Sequence, residues 1–166
     1  MEIEQIYKNV DNIILTALMI NDDAMKYTQS WGYNGFKRLH RCETKYLLCK
    51  HQELENSYFD KYRKMLNASV GNPNYNPISL KDHLEKWRDL LNRNIQELGE
   101  LNQEHFDVIG ITNCVIEDLI YCFMKKYEKV SRWIARFNES SWNSIEIHLL
   151  DDKLHEKMKK KEEEGD

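Results

Sequence analysis

The chain has 166 residues and a mass of 20.0 kDa, the size of one domain with a single sizeable core. A hydrophobic fraction of 41% with 11% aromatic residues excludes disorder, and a net charge of −4 excludes a general nucleic-acid binder, which carries a basic face. No apolar run approaches the roughly 20 residues of a membrane helix, and the first residues lack a signal-peptide pattern. The expectation is a cytoplasmic chain with reduced thiols.

The first predicted helix covers residues 2–30. Ile3, Ile6, Val10, Ile13, Ala17, Leu18, Ala24 and Met25 recur at the spacing that builds one buried stripe. Gly32 and Gly35 then bracket a tight turn, since glycine accepts positive φ without steric cost. The second helix opens at Phe36, runs through Leu39, Tyr46, Leu47, Leu54, Tyr58, Tyr62 and Met65, and is expected to end near Asn67. The two prolines of the chain, Pro73 and Pro77, both fall in the link that follows. Proline removes a backbone donor and clashes with the preceding turn, so this link is the main interruption of an otherwise helical sequence.

Ser79 and Asp82 have the spacing of a capping box at the start of the third helix, whose stripe is Leu80, Leu84, Trp87, Leu91, Ile95, Leu98 and Leu101. A break near Gly110 precedes a fourth helix with Val115, Leu119, Phe123, Val130, Ile134 and Phe137. A shorter fifth helix carries Trp142, Ile145, Leu149, Leu150 and Leu154. The lysines of residues 157–161 are followed at once by Glu162, Glu163 and Glu164, which reads as a solvated helix end, so residues 157–166 are set apart as a charged tail on a bundle of residues 1–156.

Helix pairs joined by one long link imply an all-α fold: a four-helix bundle with a long crossover between helices two and three, plus a short C-terminal helix. A 28-residue helix spans roughly 42 Å, and the twelve link residues 68–79 reach about 40 Å when extended. An up-down-up-down bundle needs only a few link residues.

The four cysteines offer no disulfide. Cys42 and Cys49 lie about 10 Å apart along one helix, and Cys114 and Cys122 fail the same test. No Cys-x-x-Cys spacing marks a zinc site, so all four are expected as small buried apolar side chains.

Gly35 and Phe36 at the opening of the second helix, the crossover link, Trp87 on the third helix, residues 91–101, residues 113–118 and the last helix around residues 148–156 together resemble the ferritin family. The likeness covers about residues 10–156 and implies an iron-storage cage. The family's di-iron centre, made of carboxylates and a Glu-x-x-His pair, does not carry over. Aligned on Phe36, the pair falls on Leu47 and Lys50, the third-helix glutamate on Asn92 and the fourth-helix glutamine near Lys129, while the first helix offers Asn12 or Thr16. One ammonium about 4 Å from a divalent ion costs roughly 8 kcal/mol at an effective dielectric of 20.

The resemblance therefore implies a subunit without a working ferroxidase centre. Such a chain is not an enzyme, and it contributes structurally to a cage formed with itself or with a catalytically active ferritin-like subunit, away from nucleic acid and membrane. Neither a cofactor nor a metal-ligand set is assigned. Glu43, Glu53 and Glu55 are candidates for an acidic mineral surface, with ordinary solvated charge as the plainer reading. Tyr27, Trp31, Tyr33 and Tyr75 are candidates for subunit contacts or for ordinary packing.

A helical interaction module that has lost iron handling is the alternative. A third reading, a relocated metal site, rests on the pairs His40/Glu43, His51/Glu53 and Asp152/His155, each short of the four or more donors a site needs.

Overall fold

A computed structural model of the protein describes residues 2–68, 70–104 and 111–165. They form five helices, α1 (Ile3–Ser30), α2 (Asn34–Tyr62), α3 (Leu80–Glu104), α4 (Ile111–Glu139) and α5 (Ser144–Gly165), with no strand among the described residues. The expected break at Gly110 lies outside the described residues. None of these helices is long and apolar enough to cross a membrane.

The core follows from the helical stripes. Val10, Ile14 and Ala24 of α1 are fully buried, as are Leu84 and Leu98 of α3 and Val115, Leu119, Val130 and Phe137 of α4. Each fully buried Leu or Phe stabilises the fold by roughly 1.5–3 kcal/mol before the entropy of ordering the chain is subtracted. The buried face of α2 differs. Between Phe36, Leu39, Leu47, Leu54 and Tyr58 it carries His40 and Glu43, both buried.

The packed pairs are α1 with α2, α3 with α4 and α2 with α5, with smaller contacts of α2 with α4 and α1 with α3. Contacts between named residues fix the directions. Tyr7 bonds Ser57 and Asn21 bonds His40, so α1 and α2 are antiparallel. His83, near the start of α3, meets His40, near the start of α2.

Two boundaries differ from expectation. α2 stops at Tyr62 rather than near Asn67, because Arg63 adopts left-handed geometry (φ 56°) and its N–H closes on the Phe59 carbonyl at 2.7 Å. The link to α3 is correspondingly longer. α5 continues through the lysine-rich stretch to Gly165, and Glu162 faces Arg38 and Arg41 at 3.5 and 4.0 Å, so this stretch packs along α2.

At the start of α3 the capping box forms in part. Ser79 Oγ accepts the Asp82 N–H at 3.1 Å, while Asp82 Oδ2 accepts the N–H of Ile78 at 2.9 Å. The cysteines depart from expectation too: Cys49 and Cys114 are exposed and Cys42 and Cys122 half-buried, all four as free thiols. Lys45, Leu48 and Gln52 are exposed along with Cys49, on a side of α2 turned from the core.

Candidate functional site

The buried polar residues of α2 anchor two separate clusters. The first is a chain of hydrogen bonds through four segments. Asn21 Nδ2 donates to the Ala17 carbonyl at 2.8 Å, which leaves its Oδ1 as an acceptor for His40 Nδ1–H at 2.7 Å. His40 Nε2 is then the bare nitrogen and accepts His83 Nε2–H at 2.9 Å. The bare Nδ1 of His83 in turn accepts the hydroxyl of Tyr75, from the link before α3. A single orientation of every donor follows from the Asn21 anchor.

This cluster is sealed. His40 and His83 are both fully buried, and the Trp87 ring stacks on His83 with 9° between planes and sits 4.5 Å from the His40 centroid. Burial disfavours the charged imidazoles and pushes the His83 pKa down to about 3. Burial likewise holds His40 well below its ordinary value, aided by the neighbouring His83 and Lys126. Protonation of His40 would also set its Nε2–H against the Nε2–H of His83, and protonation of His83 would put an N–H where the Tyr75 hydroxyl now donates. Burial raises the Tyr75 hydroxyl, which stays a donor. All four ring nitrogens are occupied by protein partners.

The second cluster joins α1 to the middle of α2. Asp11, 1% exposed, accepts from His51 Nδ1 at 2.5 Å, and His51 Nε2 meets Glu55 Oε1 at 2.9 Å. Burial raises the Asp11 carboxyl above its ordinary value, and the His51 hydrogen bond offsets part of that rise. The periodicity of α1 passed over Asp11, although it lies one position from Asn12 and four from Tyr7 on the buried face.

The positions where a ferritin centre would stand face different surroundings. Leu47 is wholly buried in the core. Lys50 Nζ is held at 2.9 Å by Asp118 of α4 and at 3.3 Å by Glu53. Asn92 is exposed. Lys129 lines a cleft between α2, α4 and α5. Asn12 and Thr16 line a cavity of about 440 Å³ between α1 and α3, where Asn12 Oδ1 is buried and Asn94 is 8% exposed.

The paired candidates separate likewise. His40 bonds Asn21 and His83, while Glu43 faces Lys126 Nζ at 3.3 Å. Glu43 is only 4% exposed, which corrects its reading as a surface acid. Leu39 and Leu47, four residues on either side, were the signal that this position faces inward. His51 pairs with Asp11 and Glu55, and Asp152 is exposed. Among the described residues no three His, Cys, Asp or Glu side chains are grouped so as to hold a metal ion.

The aromatic candidates for subunit contact are half-buried and engaged within the chain. Tyr27 packs on Trp31 at 5.7 Å and donates to Asn76, Tyr33 packs on His148 at 5.2 Å, and Tyr75 belongs to the histidine cluster.

No protein-family model matches the chain, and no curated protein matches it.

Proposed function

We propose that the chain is a ferritin-like subunit that has no working ferroxidase centre and serves a structural part in an iron-storage cage. Its architecture on this reading is a four-helix bundle whose link, residues 63–79, crosses its length, with α5 added along α2. The meeting of His40 and His83 near the opening ends of their helices supports that crossover.

The observation that carries the functional reading is Lys50. It sits on α2 where the resemblance calls for an iron-binding imidazole, and its ammonium is fixed between Asp118 and Glu53. An ammonium held by two carboxylates uses them up as ligands and repels a divalent ion. Leu47, in place of the paired glutamate, is buried apolar core. A held ammonium and a buried leucine at these two positions supply no iron ligand, so the proposed role is one of assembly.

The mineral-surface role for Glu43, Glu53 and Glu55 has little support. Each of the three carboxylates meets a cation or imidazole of its own chain: Lys126, Lys50 and His51.

An interaction module is the second reading. It is favoured by Ile145 and Leu149 of α5, exposed at 68% and 48% and one turn apart, where a partner helix or subunit has apolar surface to cover. The purified chain, mixed with ferrous iron in air, tests the catalytic half of the proposal. Oxidation no faster than the buffer blank is expected, and rapid oxidation saturating at a fixed number of irons per chain would overturn it.

A further inference from the structure

A cleft of about 430 Å³ lies between α2, α4 and α5, and five lysines line it: Lys126 and Lys129 of α4 with Lys157, Lys160 and Lys161 of α5. Two glutamates face them. Glu43, at the floor, is 4% exposed and already holds Lys126 at 3.3 Å. Among the described residues, Glu164 is the other carboxylate that lines the cleft. Glu162, on the same helix, turns to Arg38 and Arg41 instead.

Among the described residues the cleft thus gathers five lysines against two glutamates. Among the described residues, Lys129, Lys157, Lys160 and Lys161 form no ion pair. Lys129 is half-buried, while Lys157, Lys160 and Lys161 are exposed beside it, so the cleft is open to a ligand from solvent. Burial, with Lys157, Lys126 and Lys161 nearby, pushes the Lys129 pKa down to about 8.

We propose that this cleft binds a small, multiply charged phosphate compound, an oligophosphate either free or carried on a nucleotide. Lysine ammonium groups are strong point-charge donors to phosphate oxygens. Several arranged around one cleft favour a ligand with several linked phosphates over a single orthophosphate. The ligand's charge replaces the missing carboxylates and restores the full charge of Lys129. Tyr46 and Cys122 also line the cleft, the Tyr46 hydroxyl donating to the Asp118 carbonyl at 3.1 Å. This site does not depend on the iron-storage reading, since three of its five lysines come from α5 and phosphate binding there needs no iron ligand.

Calorimetric titration of the full chain at pH 8 with orthophosphate, pyrophosphate, tripolyphosphate and ATP tests the proposal. The expected result is one tripolyphosphate per chain, bound more tightly than pyrophosphate and far more tightly than orthophosphate, and weakened by salt. ATP binding as tightly as tripolyphosphate would place recognition in the phosphates, and ATP binding more tightly would add the nucleoside. Lys129→Met and Lys157→Met should each weaken tripolyphosphate by about tenfold, while Lys153→Met and Lys159→Met, outside the cleft, leave it unchanged.

Absence of tripolyphosphate binding, or equal losses in both pairs of variants, would overturn the assignment. Wild-type binding that does not tighten from orthophosphate to tripolyphosphate would overturn it independently of how the variants fold.

Discussion

The carboxylate of Asp151, on α5, accepts the backbone N–H of Phe36 at 2.9 Å and so caps the start of α2 from 115 residues away. Tyr33, at the N-cap position, makes no side-chain cap of its own. The long-range cap works because residue 35 is glycine: a Cβ there would run into the Asp151 carbonyl. Gly35→Ala is therefore expected to push α5 off α2, with a loss of about 1–3 kcal/mol from overpacking. Asp151→Ala should cost about 1 kcal/mol through the lost cap, and Asp151→Asn less, because it keeps an acceptor oxygen. Urea unfolding of the three variants checks the order, and faster amide exchange confined to α5 in Gly35→Ala checks the cause.

The histidine cluster makes the fold acid-sensitive. In the folded chain both rings have pKa values below the ordinary 6.5, so the unfolded state binds more protons as pH falls. Their contribution is complete above about pH 6.5 and declines below it by about 1 kcal/mol per ring for each unit of pH. For His83 the decline continues toward pH 3. Asp11 and Asp151, both raised above 3.8 by burial, act in the opposite sense and regain stability as acid protonates them. The histidines dominate between pH 6.5 and 5. Unfolding midpoints across that range should fall steeply in the wild type and less steeply in His83→Gln. Equal slopes would contradict the cluster.

The turn between α4 and α5 holds two consecutive residues in left-handed geometry, Ser141 (φ 52°) and Trp142 (φ 56°). Such geometry costs a non-glycine residue roughly 1–2 kcal/mol. Trp142 offsets its share through its N–H on the Phe137 carbonyl at 2.6 Å and its indole N–H on Asn138 Oδ1 at 2.8 Å. Ser141 is exposed. Ser141→Gly should raise stability by about 1 kcal/mol, seen as a higher Tm with α5 still docked.

Leu47 and Lys50 should respond very differently to truncation. Leu47→Ala opens a cavity in the core and should cost about 2–5 kcal/mol. Lys50→Met keeps the aliphatic stem and loses only a seam ion pair, whose partners Asp118 and Glu53 are about half exposed, so a loss of about 1 kcal/mol or less is expected. Thermal unfolding of the two variants checks the contrast.

Helix stripes and the proline link were legible in the sequence because apolar periodicity and proline act locally. The end of α2 was not. Arg63 turns left-handed with no glycine or proline to announce it, and Met65 continues the apolar spacing beyond it. The polar clusters were harder still. Tyr75 and His83 are brought together by the close of a link onto a helix, and Asp11 meets His51 only when α1 lies antiparallel on α2. Glu43 sat in plain view on the stripe of Leu39 and Leu47, and its charge drew the reading outward. The lysines of α5 read as a solvated end, and Lys157, Lys159, Lys160 and Lys161 are exposed, but nothing local reveals that Glu162 reaches Arg38 and Arg41.

Sedimentation velocity of the purified chain, with and without ferrous iron, tests the structural-subunit proposal most directly. A cage subunit should sediment as one large, closed, many-subunit particle whose size does not depend on iron. A monomer or dimer under both conditions would contradict the proposal and favour the interaction module.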